Sequence, residues 1–214
     1  MNEFKNLISL LESPNKENFS LGLVVAQNYK KEILEYFGCE LEDLEELTML
    51  LERNRAWYRE GSVFDITELF FEYKNLDKFP KAICVLKKLV RLELFGDKIQ
   101  NIPCEIGNLK ELYELILTGN FIKNLPTEIG NLTNLLDLRL NKNQLQSIPA
   151  EIGNLKRLRL LDLSENNLQN LPIEIGNLTS LEILSLNNNQ IPESEMENIK
   201  KMLPNCYVVT QEIK

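Results

Sequence analysis

Five prolines constrain this chain more than any other feature: Pro80, Pro103, Pro126, Pro149 and Pro172 stand 23 residues apart. An interval of that length holds one supersecondary unit, too small to bury its own apolar face, so the units must stack on one another. The apolar residues keep the same interval. Leu69, Leu92, Leu115, Leu138, Leu161 and Leu184 fill one column, and two residues on Phe71, Leu94, Leu117, Leu140, Leu163 and Leu186 fill another. An offset of two is the period of a strand with one buried face. Further apolar columns run from Ile66 to Leu181, Leu76 to Ile191, Phe79 to Leu171, Ile83 to Ile175 and Leu86 to Leu178.

Each LxL therefore predicts a short strand, and the EIGNL stretch that follows predicts a short helical turn on the opposite side. Pro103, Pro126, Pro149 and Pro172 suit the start of that turn, where no backbone donor is needed. Gly107, Gly130, Gly153 and Gly176 are expected at its end, in a backbone of positive φ. Asn120, Asn143, Asn166 and Asn189 recur where the chain leaves the strand, and are expected to stack as a ladder bonding buried turn backbone. Glu105, Glu128, Glu151 and Glu174 recur in the first turn of each helical piece, where the helix dipole favours an acid.

The cores LLDLRLNKNQL, LRLLDLSENNL and LEILSLNNNQI resemble the leucine-rich repeat pattern LxxLxLxxNxL. LPTEIGNL, IPAEIGNL and LPIEIGNL are similar to the second half of its 23-residue variety, common in bacterial and intracellular proteins. The resemblance covers residues 62 to about 192. It implies an α/β solenoid, with a curved parallel sheet on the concave side and helical turns on the convex side. Binding is the family's usual activity, and the resemblance names no partner.

Both ends depart from the pattern. The asparagine column reads Lys74 and Asp97 in its first two units, and Cys84 stands where later units have glycine. Residues 62–88 are accordingly a degenerate first repeat, 62–192 the repeat region, and 1–61 a helical amino-terminal cap or small helical domain. Within 1–61, helical spacing links Phe4, Leu7, Ile8 and Leu11, then Phe19, Leu23 and Ala26, then Ile33, Leu34 and Phe37, with breaks at Pro14 and Gly38. In residues 39–54, Leu41, Leu44, Leu47, Leu50 and Leu51 share a face opposite an acidic run, which reads as the solvated side of an amphipathic helix, with a docking surface for a basic partner as the alternative. Residues 193–214 are read as a carboxy-terminal cap, an acidic-to-basic helix followed by a last short strand.

The 214 residues contain no histidine and carry a formal charge of −8. The first rules out imidazole-dependent catalysis and histidine-containing zinc motifs. The second disfavours nucleic acid and anionic membrane surfaces as partners. No secretory signal or membrane span is read. A cytoplasmic protein is therefore expected, and in such a chain Cys39, Cys84, Cys104 and Cys206, which have no CxxC spacing, read as free thiols. No metal and no cofactor are expected. Cys39 is not expected to act as a nucleophile, because Glu40, Glu42 and Asp43 beside it oppose the thiolate.

The outward residues of the strands define the candidate site. The row before the first strand leucine reads Glu68, Arg91, Glu114, Asp137, Leu160, Ile183; the row between the leucines reads Phe70, Glu93, Ile116, Arg139, Asp162, Ser185. Beyond them lie Glu72, Phe95, Thr118, Asn141 and then Tyr73, Gly96, Gly119, Lys142. Exposed aromatic and aliphatic side chains among charges are what a protein-binding hot spot needs. The expected concave site is Phe70, Glu72, Tyr73, Arg91, Glu93, Phe95, Glu114, Ile116, Asp137, Arg139 and Asp162. Its partner is expected to be a protein or peptide of basic and apolar character. Covering of Phe70 and Tyr73 by the amino-terminal helices stands as the alternative. Glu114 and Asp137 are lateral neighbours, but the adjacent arginines keep both ionised and an open sheet excludes no water, so the chain reads as non-catalytic. Two other functions stay open: the recognition arm of an enzyme system, as in bacterial ubiquitin-ligase effectors, and a small-ligand or carbohydrate binder. For the former, the 61 residues before the repeats and the 22 after them are expected to be too few for a catalytic domain.

Overall fold

The computed structural model describes residues 2–13, 15–37, 40–53, 63–72 and 76–210. Pro14, Gly38, Cys39, the boundary at 61/62, Tyr73 and Lys74 lie outside them, as do the side chains of Phe4, Phe37, Leu50 and Glu72.

Four helices come first: α1 (Asn2–Leu11), α2 (Lys16–Ala26), α3 (Lys30–Phe37) and α4 (Leu41–Arg53). Asn15 caps α2 by accepting the Asn18 N–H at 3.0 Å, which satisfies one of the open donors of the first turn. The spacing read from the sequence marks their buried faces, with Leu7 and Leu11, Phe19, Leu23 and Ala26, and Leu41, Leu44, Leu47 and Leu51 all inside. Leu34 does not follow: among the described side chains of the two-turn α3, Ile33 alone is turned inward, and Leu34 faces out.

Seven parallel strands then form one sheet in chain order: β1 (Glu68–Glu72), β2 (Arg91–Phe95), β3 (Glu114–Ile116), β4 (Asp137–Arg139), β5 (Leu160–Asp162), β6 (Ile183–Ser185) and β7 (Tyr207–Val209). Leucine faces leucine across every step from β1 to β6, because each strand sits 23 residues after the last. The return passages are single 3₁₀ turns, Lys81–Val85, Cys104–Asn108, Thr127–Asn131, Ala150–Asn154 and Ile173–Asn177, each opened by its proline. Sheet leucines, turn isoleucines and the inner faces of the helices make one continuous core.

The turn glycines do not have the positive φ expected of them. Positive φ falls on a different column, Gly96, Gly119, Lys142, Glu165 and Asn188, where the chain leaves each strand. Gly107, Gly130 and Gly153 are instead required by close approach. A Cβ on Gly130 would stand 2.5 Å from the Glu151 carbonyl oxygen, and one on Gly153 would stand 2.6 Å from that of Glu174. The turns stack so tightly that the next turn's backbone fills the side-chain space.

The asparagines form the expected ladder. Asn120 Oδ1 accepts the Ile99 N–H at 3.2 Å while Nδ2 donates to the carbonyls of Leu94 (2.9 Å) and Leu117 (3.1 Å). Asn143, Asn166 and Asn189 repeat the pattern one unit further on each time. Asp97, 3% exposed, accepts the Leu76 N–H at 3.0 Å through Oδ1, but its buried Oδ2 has no hydrogen-bond partner among the described residues.

After β6 the 3₁₀ turn gives way to α5 (Glu193–Met202), with Glu193 and Glu195 in its first turn, Lys200 and Lys201 in its last, and Met196 and Ile199 buried. These charges complement the helix dipole. The longer passage sets β7 24 residues after β6, pairing Ile183 with Tyr207.

Candidate functional site on the concave sheet

In register, the first outward row runs Glu68, Arg91, Glu114, Asp137, Leu160, Ile183, Tyr207, and the second Phe70, Glu93, Ile116, Arg139, Asp162, Ser185, Val209. Strand neighbours stand about 4.8 Å apart, so each row is a line of side chains in reach of one another. The parallel pairing therefore brings the expected site residues from Phe70 to Asp162 onto one surface. Tyr73 and the Glu72 side chain lie outside the description.

Phe70 is 40% exposed, with the Arg91 guanidinium over its ring at 5.0 Å, a cation–π contact. The amino-terminal helices thus do not bury it. Phe95 is half-buried. Ile116, expected to be exposed, is only 7% so, yet it does not join the continuous core. It stands between Glu93 and Arg139 in the row, both of them longer side chains than its own.

Both arginines are engaged by acids of their own sheet. Arg139 grips Asp137, Nη2 to Oδ2 at 2.8 Å and Nε to Oδ1 at 3.1 Å, and this hydrogen bonding holds its proton more firmly than usual. Arg91 Nε lies 2.8 Å from Glu114 Oε2 and its Nη2 3.5 Å from Glu93 Oε2. Nε is not aimed along the line to Glu114, so that contact is ionic more than directional. Asp162 accepts from Ser164, at 3.0 Å from N and 2.7 Å from Oγ. Five carboxylates against two guanidiniums, counted over Glu68, Arg91, Glu93, Glu114, Asp137, Arg139 and Asp162, leave the charged half of the face negative.

None of the three described cysteines is an activated thiol. Burial pushes Cys84 far up and Cys206 up to about 11, and the carboxylate of Glu105 beside Cys104 raises it too. Among the described residues no group of three His, Cys, Asp or Glu could hold a metal ion, and no helix is long and apolar enough to cross a membrane. A cavity of about 260 Å³ lies against Met202, Leu203 and Cys206 and another of about 150 Å³ against Lys81, Cys84 and Glu105; neither is lined by a residue of the two concave rows.

Comparison with known proteins agrees with this architecture. The family profile described as a leucine-rich repeat region matches residues 127–205. A leucine-rich repeat protein of Leptospira interrogans is 42% identical, with a TM-score of 0.67, over 68% of this chain and 37% of its own. An internalin of Listeria monocytogenes is similar in fold, at 24% identity and a TM-score of 0.62, over 70% of this chain and 43% of its own. The chain thus spans well under half the length of either. No curated protein sequence matches it.

Proposed function

For a chain built of leucine-rich repeats, we propose that the concave sheet is a non-catalytic binding surface for a protein or peptide partner of basic and apolar character. The observation that carries this is the pairing just described: the guanidiniums are occupied internally, Glu93 meets Arg91 only at 3.5 Å, and among the described residues Glu68 and Asp162 have no ion pair, while Phe70 and Phe95 stand at the Glu68 and Glu93 end of the face. An incoming Lys or Arg finds carboxylates held in place, and the aromatic rings give it apolar surface to cover. The raised thiols favour this reading over that of an enzyme's recognition arm. The open sheet favours it over a small-ligand site, which needs a concave pocket.

The test is affinity for a partner recovered on the immobilised full chain and then purified. Phe95→Ala combined with Glu93→Lys should weaken binding at least tenfold and flatten its dependence on salt. Unchanged affinity in the folded double variant would overturn the assignment to the concave face.

A further inference from the structure

The concave face changes character halfway along. From β1 to β4 the first outward row is charged; from β5 onward it is Leu160, Ile183 and Tyr207, in register with one another. Ile183 is 38% and Tyr207 66% exposed, so both stand open to solvent. On β5 and β6 the stripe is one side chain wide, because the next row is Asp162 and Ser185, and it widens only at β7, to Val209. Three strands at about 4.8 Å spacing make it roughly 10 Å long. That is too narrow for the packed centre of an interface between two globular surfaces, and it matches the width of a single extended chain.

We infer that the partner is an extended segment lying across the strands, with basic side chains facing Glu68, Glu93 and Asp162 and an aliphatic or aromatic block facing Leu160, Ile183 and Tyr207. This rests on the concave-face reading above and adds the shape and polarity of what binds. From Phe95 in β2 to Tyr207 in β7 is five strand steps, about 24 Å, which an extended chain spans in roughly seven residues at about 3.3 Å each. Charge decides against a second copy of this chain as occupant. The protein carries −8 overall and −5 over residues 1–61, so it has little basic surface to offer an acidic face.

The probe is a displayed library of random twelve-residue peptides selected on the full chain, followed by a synthetic consensus peptide measured by fluorescence anisotropy. The expected consensus has Lys or Arg on one side of an aliphatic or aromatic block. Its affinity should fall at least tenfold in Ile183→Asp with Tyr207→Ala and weaken with salt. Ile183→Ser with Tyr207→Ser provides a milder pair, and an unchanged melting curve shows that either pair is folded. A peptide sensitive to Phe95→Ala with Glu93→Lys but indifferent to both stripe pairs overturns this inference and leaves the concave-face reading standing. Indifference to all of these variants overturns both. A selection that enriches no peptide overturns the extended segment.

Discussion

The regular repeats and the first two units meet the same stacking requirement with different residues. Between Gly107 and Gly153 each turn is pressed onto the next until backbone fills the place of a Cβ. One unit earlier, Cys84 keeps its side chain, buried beside a cavity of about 150 Å³ whose walls include Leu34 and Asp43 from the helical segment. There Lys81 reaches Glu105 at 2.9 Å and ties one turn to the next through side chains. In the regular part each asparagine donates to at least two carbonyls, whereas Asp97 offers only acceptors at the same rung. Where repeat stacks on repeat, one residue type fits; where the stack meets packing helices, other solutions fit and the pattern relaxes.

Substitutions can break or sharpen that contrast. Asn143→Asp should be the most damaging, because it strips donors from the Leu117 and Leu140 carbonyls and introduces a buried charge; a loss of about 2–4 kcal/mol in chemical denaturation is expected. A cost near zero would mean that the ladder does not hold the stack. Gly153→Ala should cost about 1–3 kcal/mol by overpacking against the Glu174 carbonyl. Cys84→Ala, by contrast, should cost about 1 kcal/mol, the lower end for a buried truncation beside space that already exists. Equal costs at the two positions would erase the distinction between the junctions.

Asp97→Asn should act in the opposite direction and stabilise by about 1 kcal/mol, since an amide at Oδ2 could donate as Asn120 does. Destabilisation in the same denaturation assay would show that this rung needs its acid. The smallest effect belongs to Lys81 and Glu105. A double-mutant cycle with Lys81→Met and Glu105→Gln should give at most about 1 kcal/mol at pH 7, given the pair's partial exposure. Lys81 holds the Glu105 carboxyl below 4.5, so the coupling is complete above that value and disappears as pH falls through the lower folded value. Coupling that persists at pH 2 would assign it to packing.

The solenoid was legible because strand and turn reuse the same residue types at one interval: Leu92, Leu115 and Leu138 could only be one column of a stack, and the prolines located the turns. The glycine role was misread because a glycine required by a neighbour's backbone looks the same in sequence as one required by its own φ. The column that does adopt positive φ reads Lys142, Glu165 and Asn188 in its later units, which gives no composition signal. On the site, the rows could be written down from the period, but the 7% exposure of Ile116, set between longer neighbours from two other repeats, could not. Tyr207 was out of reach for a different reason. The α5 insertion shifts the spacing by one residue, and 23 on from Ile183 falls on Cys206 instead.

The asparagine ladder also has a direction in time. Asn120 closes the backbone of the unit before it, taking the Ile99 N–H and giving to the Leu94 carbonyl, and each later asparagine does the same for its predecessor. A chain emerging from the ribosome, amino terminus first, therefore always carries one unfinished turn at its growing end. Each unit is completed only when about a further period has been synthesised. The stack is therefore closed in one direction, each unit by the asparagine of its successor.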